Sequence, residues 1–166
     1  MCMKYVNTIT NCFKSVSKEN NCIVSFNAPF ESIIATIKDG QSSINDFVVL
    51  TLVNILGTGD ESKIVDNPLS NKKTIDFIIR LTKCDANEEN RIGYDLDRFS
   101  INLADMDEKK QIDHACFEFF NYTRMTNVDH IPLQGGVGKY VIKVLIKDSE
   151  QEEYTIQSMT KLTIIE

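Results

Sequence analysis

The sequence predicts an all-β chain: an antiparallel two-sheet β-sandwich of about eight strands with at most short helical turns. Three observations lead there. Apolar residues recur with period two along most of the chain. Polar turns punctuate these runs at regular intervals. No full-length stretch repeats apolar residues at i, i+3 and i+4, as an amphipathic helix requires.

The elements follow in order. Tyr5, Ile9 and Phe13 alternate with Asn7 and Asn11, and the polar turn Lys18 to Asn21 leads into Cys22 to Phe26, which makes an opening hairpin. Pro29 has no N–H to donate, so Asn27-Ala28-Pro29 marks a bulge, an edge or a strand end. Ile33, Ile34 and Ile37 suit a short helical turn over Ser32 to Lys38. Asp46 to Asn54 is nearly continuous in apolar character, as expected of a central strand buried on both faces. In Thr74 to Thr82, Ile75, Phe77, Ile79 and Leu81 share one face and Asp76, Arg80 and Thr82 the other, interrupted by Ile78. Ile92, Tyr94 and Leu96, then Phe99, Ile101 and Leu103, add one or two shorter strands about a kink at Asp97-Arg98. Asp105 to Ile112 suits a second helical turn.

His114 to Met125 reads as a further strand with Ala115, Phe117 and Phe119 inward, and with Phe120 and Tyr122 leaving its outer face unusually apolar. Lys139 to Lys147 places Tyr140, Ile142, Val144 and Ile146 on one face and Lys143 and Lys147 on the other. After the polar turn Asp148 to Glu153, the run from Tyr154 to Ile164 changes phase near Ser158, as a bulge requires. These last two strands form a closing hairpin.

Composition bounds the class of protein. The chain has 166 residues, 42% hydrophobic and 25% charged, with a formal net charge of −6. That is an ordinary globular composition, read as one domain over residues 1–166, and a core of this size needs no metal or disulfide to fold. The acidic balance argues against nucleic acid as the main partner. Met1 to Val16 lacks the uninterrupted apolar core of a secretory signal, and Phe47 to Leu56, broken by Thr51 and Asn54, is far too short to cross a bilayer as a helix. The five cysteines, Cys2, Cys12, Cys22, Cys84 and Cys116, are odd in number and never form a C-x-x-C pair. A cytoplasmic protein with free thiols, no cofactor and no membrane partner is the expectation.

Few patterns carry chemistry. His114 lies two residues from Cys116, but no third group orients the pair as a nucleophile would need, and neither Cys12 and Cys22 nor the two histidines supply zinc-ligand spacing. Gln134 to Tyr140, QGGVGKY, has Leu133 and Tyr140 where a phosphate-binding loop needs Gly and Ser or Thr, so it reads as a glycine-rich turn in which Gly135, Gly136 and Gly138 permit positive φ. Asp95, Asp97, Asp105 and Asp107 are the carboxylates that a small-ligand or calcium-binding reading would use. His114 and His130 stand in no catalytic context, so an enzyme is not expected. The row Phe120, Tyr122 and Arg124 combines residue types enriched where proteins meet, and makes these three the candidate protein-binding residues.

Four stretches, Tyr5-Val6-Asn7-Thr8, Cys22-Ile23-Val24-Ser25-Phe26, Phe47-Val48-Val49-Leu50-Thr51-Leu52 and Gly138-Lys139-Tyr140-Val141-Ile142, resemble in order and phrasing a group of small uncharacterised bacterial proteins with an immunoglobulin-like or C2-like sandwich. The resemblance implies an architecture and brings no catalytic residues. The expectation is a non-enzymatic protein-binding or scaffolding module of a bacterial or mobile-element system, engaging another protein or a second copy of itself. The alternative is a calcium-binding or small-ligand sandwich using acidic end loops.

Overall fold

The computed structural model describes residues 6–19, 22–29, 31–56, 74–84, 92–103, 119–149 and 151–166, and every regular element among them is a strand. In chain order these are β1 (Val6–Glu19), β2 (Cys22–Pro29), β3 (Ser32–Ile34), β4 (Thr36–Lys38), β5 (Gln41–Leu56), β6 (Thr74–Lys83), β7 (Gly93–Asn102), β8 (Phe119–Pro132), β9 (Gly138–Asp148) and β10 (Thr155–Ile165). They form two five-stranded sheets. In the first, β2, β1 and β5 lie in that order, β8 runs along the other edge of β5, and β4 pairs with the start of β5. The second has the order β3-β10-β9-β6-β7. All pairings are antiparallel except β3 with β10. The two sheets match the expectation, but one of them curls into a half-barrel rather than forming a plain sandwich layer.

Most expected strands form where periodicity placed them. β6 buries Ile75, Phe77, Ile79 and Leu81 at 1% exposure or less, and β9 does the same with Tyr140, Ile142, Val144 and Ile146. Together with Val49, Val53 and Ile55 of β5 and Leu162 and Ile164 of β10 they belong to one apolar cluster drawn from both sheets. β5 is central as expected: Val49 and Val53 are buried on its inner face, and Val48 and Leu50 are also buried on the opposite one. β2 ends at Pro29 and lies on the sheet edge, the strand end and edge position where proline is tolerated. The register of β10 against β9 shifts between Ile156 and Ser158, the position of the phase change in the sequence.

Two expectations need correction. Ser32 to Lys38 is not a helical turn: Ile33 pairs with Ile164 in one sheet and Ile37 with Ser42 in the other, while Ala35 between them is buried. Three isoleucines are too few to repay helix nucleation, and their β-branched side chains fit a pleated surface better. The strand expected over His114 to Met125 is described from Phe119 and continues to Pro132, held along its length by β5. The helical turn expected over Asp105 to Ile112 lies outside the described residues.

Backbone chirality sets two further details. Asp39 and Gly40, both with positive φ (51° and 75°), make the two-residue turn between Lys38 and Gln41, the conformation that Asp-Gly favours in hairpins. Asp46, also at φ 51°, reverses the side-chain alternation of β5, so that Ile44 and Phe47 both point into the core.

Candidate functional site

The sheets meet along two lines, and each is closed by side chains. Only the second half of β1 pairs with β2, which leaves Val6 to Cys12 facing β10. There Gln157 Nε2 donates to the Val6 carbonyl, Thr160 Oγ1 donates to the Thr10 carbonyl at 3.1 Å, and the hydroxyls of Thr8 and Ser158 lie 2.6 Å apart. Side chains here satisfy backbone groups that a neighbouring strand would otherwise pair. Just outside this line Ile9, Ile156 and Met159 are 47%, 41% and 63% exposed.

The second line joins β7 to β8. Arg124 donates through Nε and Nη2 to the Asp97 carboxylate at 2.7 and 3.1 Å, and Thr126 Oγ1 donates to the same carboxylate at 2.8 Å. The Arg124 guanidinium also lies 5.2 Å from the centre of the Phe99 ring, which stacks on Phe77 at 4.8 Å and on Tyr122 at 5.7 Å. Burial pushes the Asp97 carboxyl up, but the hydrogen bonds from Arg124 and Thr126 and the Arg124 charge outweigh it and hold it below the usual carboxylate range. Its hydrogen bond to Asp97 raises the Arg124 pKa in turn.

This geometry relocates the expected binding row. On β8 it is Asn121, Thr123, Asn127 and Asp129 that are exposed, while Tyr122 and Arg124 turn toward the second sheet and Tyr122 packs against the core. The reason is parity: from Tyr122 to Val128 the even-numbered residues face inward, with Thr126 and Val128 buried. The side chain of Phe120 lies outside those described.

The acidic candidates separate too. A register shift between Ile79 and Arg80 pairs Asp97 with Ile79 and Asp95 with Arg80, so the two carboxylates point to opposite faces although they are two residues apart. Asp95 sits on the outer face, 2.5 Å from Arg80 Nε and bonded to Arg98, and the Arg80 hydrogen bond leads in lowering its pKa. Each carboxylate has its own arginine, and the two do not converge on a cation. Asp105 and Asp107, and the pair His114 and Cys116, lie outside the described residues.

A polar row crosses the inner face of the first sheet. Thr10, Thr51 and Arg124 are register partners on β1, β5 and β8, and the row ends at Asp97. The Thr10 and Thr51 hydroxyls are buried without a hydrogen-bond partner. At the tip of the β4–β5 hairpin a cleft of about 530 Å3 is lined by Thr36, Lys38, Gln41, Ser43, Asn45 and His130. Its polar groups serve each other: His130 Nδ1 donates to Asn45 Oδ1 at 2.5 Å and Asn45 Nδ2 donates to Thr36 Oγ1 at 3.1 Å.

No family model matches the chain, and no curated protein matches it. Among solved structures it is similar to the CooA pilin subunit from enterotoxigenic Escherichia coli, with 9% identity over 96% of this chain and 95% of that one, at a TM-score of 0.35. Values at that level establish no shared fold.

Other expected positions are placed as follows. Gly136 and Gly138 adopt positive φ, 68° and 139°, in the turn before β9, whereas Gly135 is absent from the positive-φ positions and is instead pressed against Lys83. Lys83 Nζ donates to the Gly135 carbonyl, and Tyr140 Oη donates to the Gly136 carbonyl at 2.6 Å. These contacts make the segment a structural turn. Cys12 is buried, which pushes its thiol up to about 12, and Cys84 is exposed.

Proposed function

We propose that the chain is a non-enzymatic, cytoplasmic protein-binding or scaffolding module built as a two-sheet sandwich. The observation that carries the reading is the apolar stripe of Ile9, Ile156 and Met159 beside the β1–β10 line, three large exposed side chains on two strands that Gln157, Ser158 and Thr160 tie together; Ile34, Ile37 and Ile165 are exposed as well, on other parts of the described surface. Contiguous exposed apolar surface of this kind marks a contact for another molecule. The single core drawn from both sheets supports the sandwich arrangement. The unpaired thiols of Cys12 and Cys84 suit a reducing compartment.

Cross-linking in cells through surface amines, read by mass spectrometry, tests this. Lys143, the register partner of Met159, and Lys161 flank the stripe and are expected to link to another chain, either a different protein or a second copy. Replacing Ile156 and Met159 with Ser is expected to remove those links without lowering the melting temperature. A protein whose lysines link only within its own monomer would refute the proposal.

A further inference from the structure

The chain carries a formal charge of −6, yet the outer face of the second sheet is basic. Strand alternation assigns that face. On β9 the inward residues Tyr140, Ile142, Val144 and Ile146 are buried, so Lys139, Val141, Lys143, Leu145 and Lys147 project outward. Registers give the neighbours on this face: Lys143 lies between Arg80 on β6 and Met159 on β10, Val141 between Thr82 and Lys161, and Leu145 between Ile78 and Ile156; Ile78 and Thr82 are themselves buried, so the accessible part is the β9–β10 side. Arg98 of β7, opposite Ile78, adds another cation. Among the described residues of these four strands, six cations face outward against two carboxylates, Asp76 and Asp95, and Asp95 is already held by Arg80 and Arg98. The three lysines of β9 repeat every four residues, roughly 13 Å apart, with an apolar residue between each pair.

We infer that this face, with the Ile156 and Met159 edge, docks an acidic protein segment whose carboxylates meet Lys139, Lys143 and Lys161 and whose apolar side chains cover Met159. The inference rests on the protein-binding reading and names the chemistry of the partner. Charge complementarity selects it: protein interfaces combine an apolar centre with a charged rim, and here the apolar side chains lie beside the lysines. A two-fold dimer through this face would oppose Lys143 to its own copy, and like charges so placed cost affinity. Nucleic acid would want aromatic rings for stacking, and the one ring described beside a cation of this face, Tyr154, lies 5.0 Å from the Lys147 ammonium and is engaged by it.

The test uses two short fluorescent peptides, one alternating Glu and Leu, the other Gln and Leu, with vesicles of phosphatidylserine and phosphatidylcholine as a third probe. The Glu-Leu peptide is expected to bind about tenfold or more tightly than the Gln-Leu peptide, to weaken as salt rises, and to lose that margin in Lys143→Glu/Lys161→Glu. Met159→Ser is expected to weaken it without changing the salt dependence. Melting curves of the variants should match that of the parent, since both lysines reach solvent. Equal binding of the two peptides, sensitive to Met159→Ser but not to charge reversal, would overturn the acidic partner while leaving the protein-binding reading in place. Binding of the anionic vesicles with no binding of the Glu-Leu peptide would also overturn it, and so would indifference of all three probes to the double charge reversal.

Discussion

Asp97 of β7 and Arg124 of β8 join the two sheets through two hydrogen bonds of 2.7 and 3.1 Å, and Thr126 adds a third at 2.8 Å. The pair is an inter-sheet tie between strands whose own backbones are not hydrogen-bonded to each other. It also holds the guanidinium over Phe99.

That tie makes the protein sensitive to acid. A carboxyl held below its usual range stabilises the fold fully above the unfolded value, about 3.9, and loses the contribution as pH falls through the folded value. Asp97→Asn keeps the shape but leaves Arg124 without its counter-charge, and should cost about 1.5–3 kcal/mol at pH 7. The gap between the variant and the parent in urea midpoint should narrow as pH drops below about 4. A gap that stays constant down to pH 2 would show that the Asp97 charge adds nothing to stability.

The buried hydroxyls of Thr10 and Thr51 predict a gain. Thr51 is 0% exposed and its Oγ1 has no partner, so Thr51→Val replaces an unsatisfied polar atom with a methyl group of similar shape. Stability should rise by about 1 kcal/mol, seen as a higher melting temperature. A loss of similar size would mean that the hydroxyl has a partner in solution.

Gly136 tests the turn before β9. A Cβ there meets nothing within 4 Å, so only the φ of 68° opposes a side chain. Gly136→Ala should cost about 1–2 kcal/mol. Gly136→Asn should cost less, because Asn tolerates the left-handed region. Equal melting temperatures for all three proteins would show that the turn relaxes into another conformation.

Thiol labelling separates two cysteines. Cys12, buried and with its pKa pushed up to about 12, should react with a maleimide at pH 8 only as the protein unfolds, whereas Cys84 is exposed and should label at once. Peptide mapping after timed quenching reads both sites in one sample. Rapid labelling of Cys12 in the native protein would mean that β1 opens easily from the sheet.

Much of the fold was legible in period-two alternation. It marked β6 through Ile75, Phe77, Ile79 and Leu81, and it marked β9 and the break in β10 near Ser158, because a half-buried strand must alternate and a bulge must shift its phase. Asp39-Gly40 carried a hairpin signal that the helical reading of Ser32 to Lys38 passed over, since three isoleucines at helical spacing match either element over so few residues. On β8 the inward face from Tyr122 to Val128 is the opposite of the one expected. Tyr122 and Arg124 sit opposite Asn121 and Thr123, and both faces of this strand hold enough polar and aromatic groups that composition alone does not say which one turns inward.

By itself, then, the amino-acid order determined that this is a β protein, which strand would be central, and where its last strand would bulge, because those properties reside in neighbouring residues along one chain. Only the tertiary structure decided that Asp95 and Asp97 would point apart, that Arg124 would close on Asp97, and that Lys143 would stand between Arg80 and Met159. These depend on registers between strands far apart in sequence. A shift of one residue in such a register turns every side chain to the other face, and no local pattern records which register the folded chain adopts.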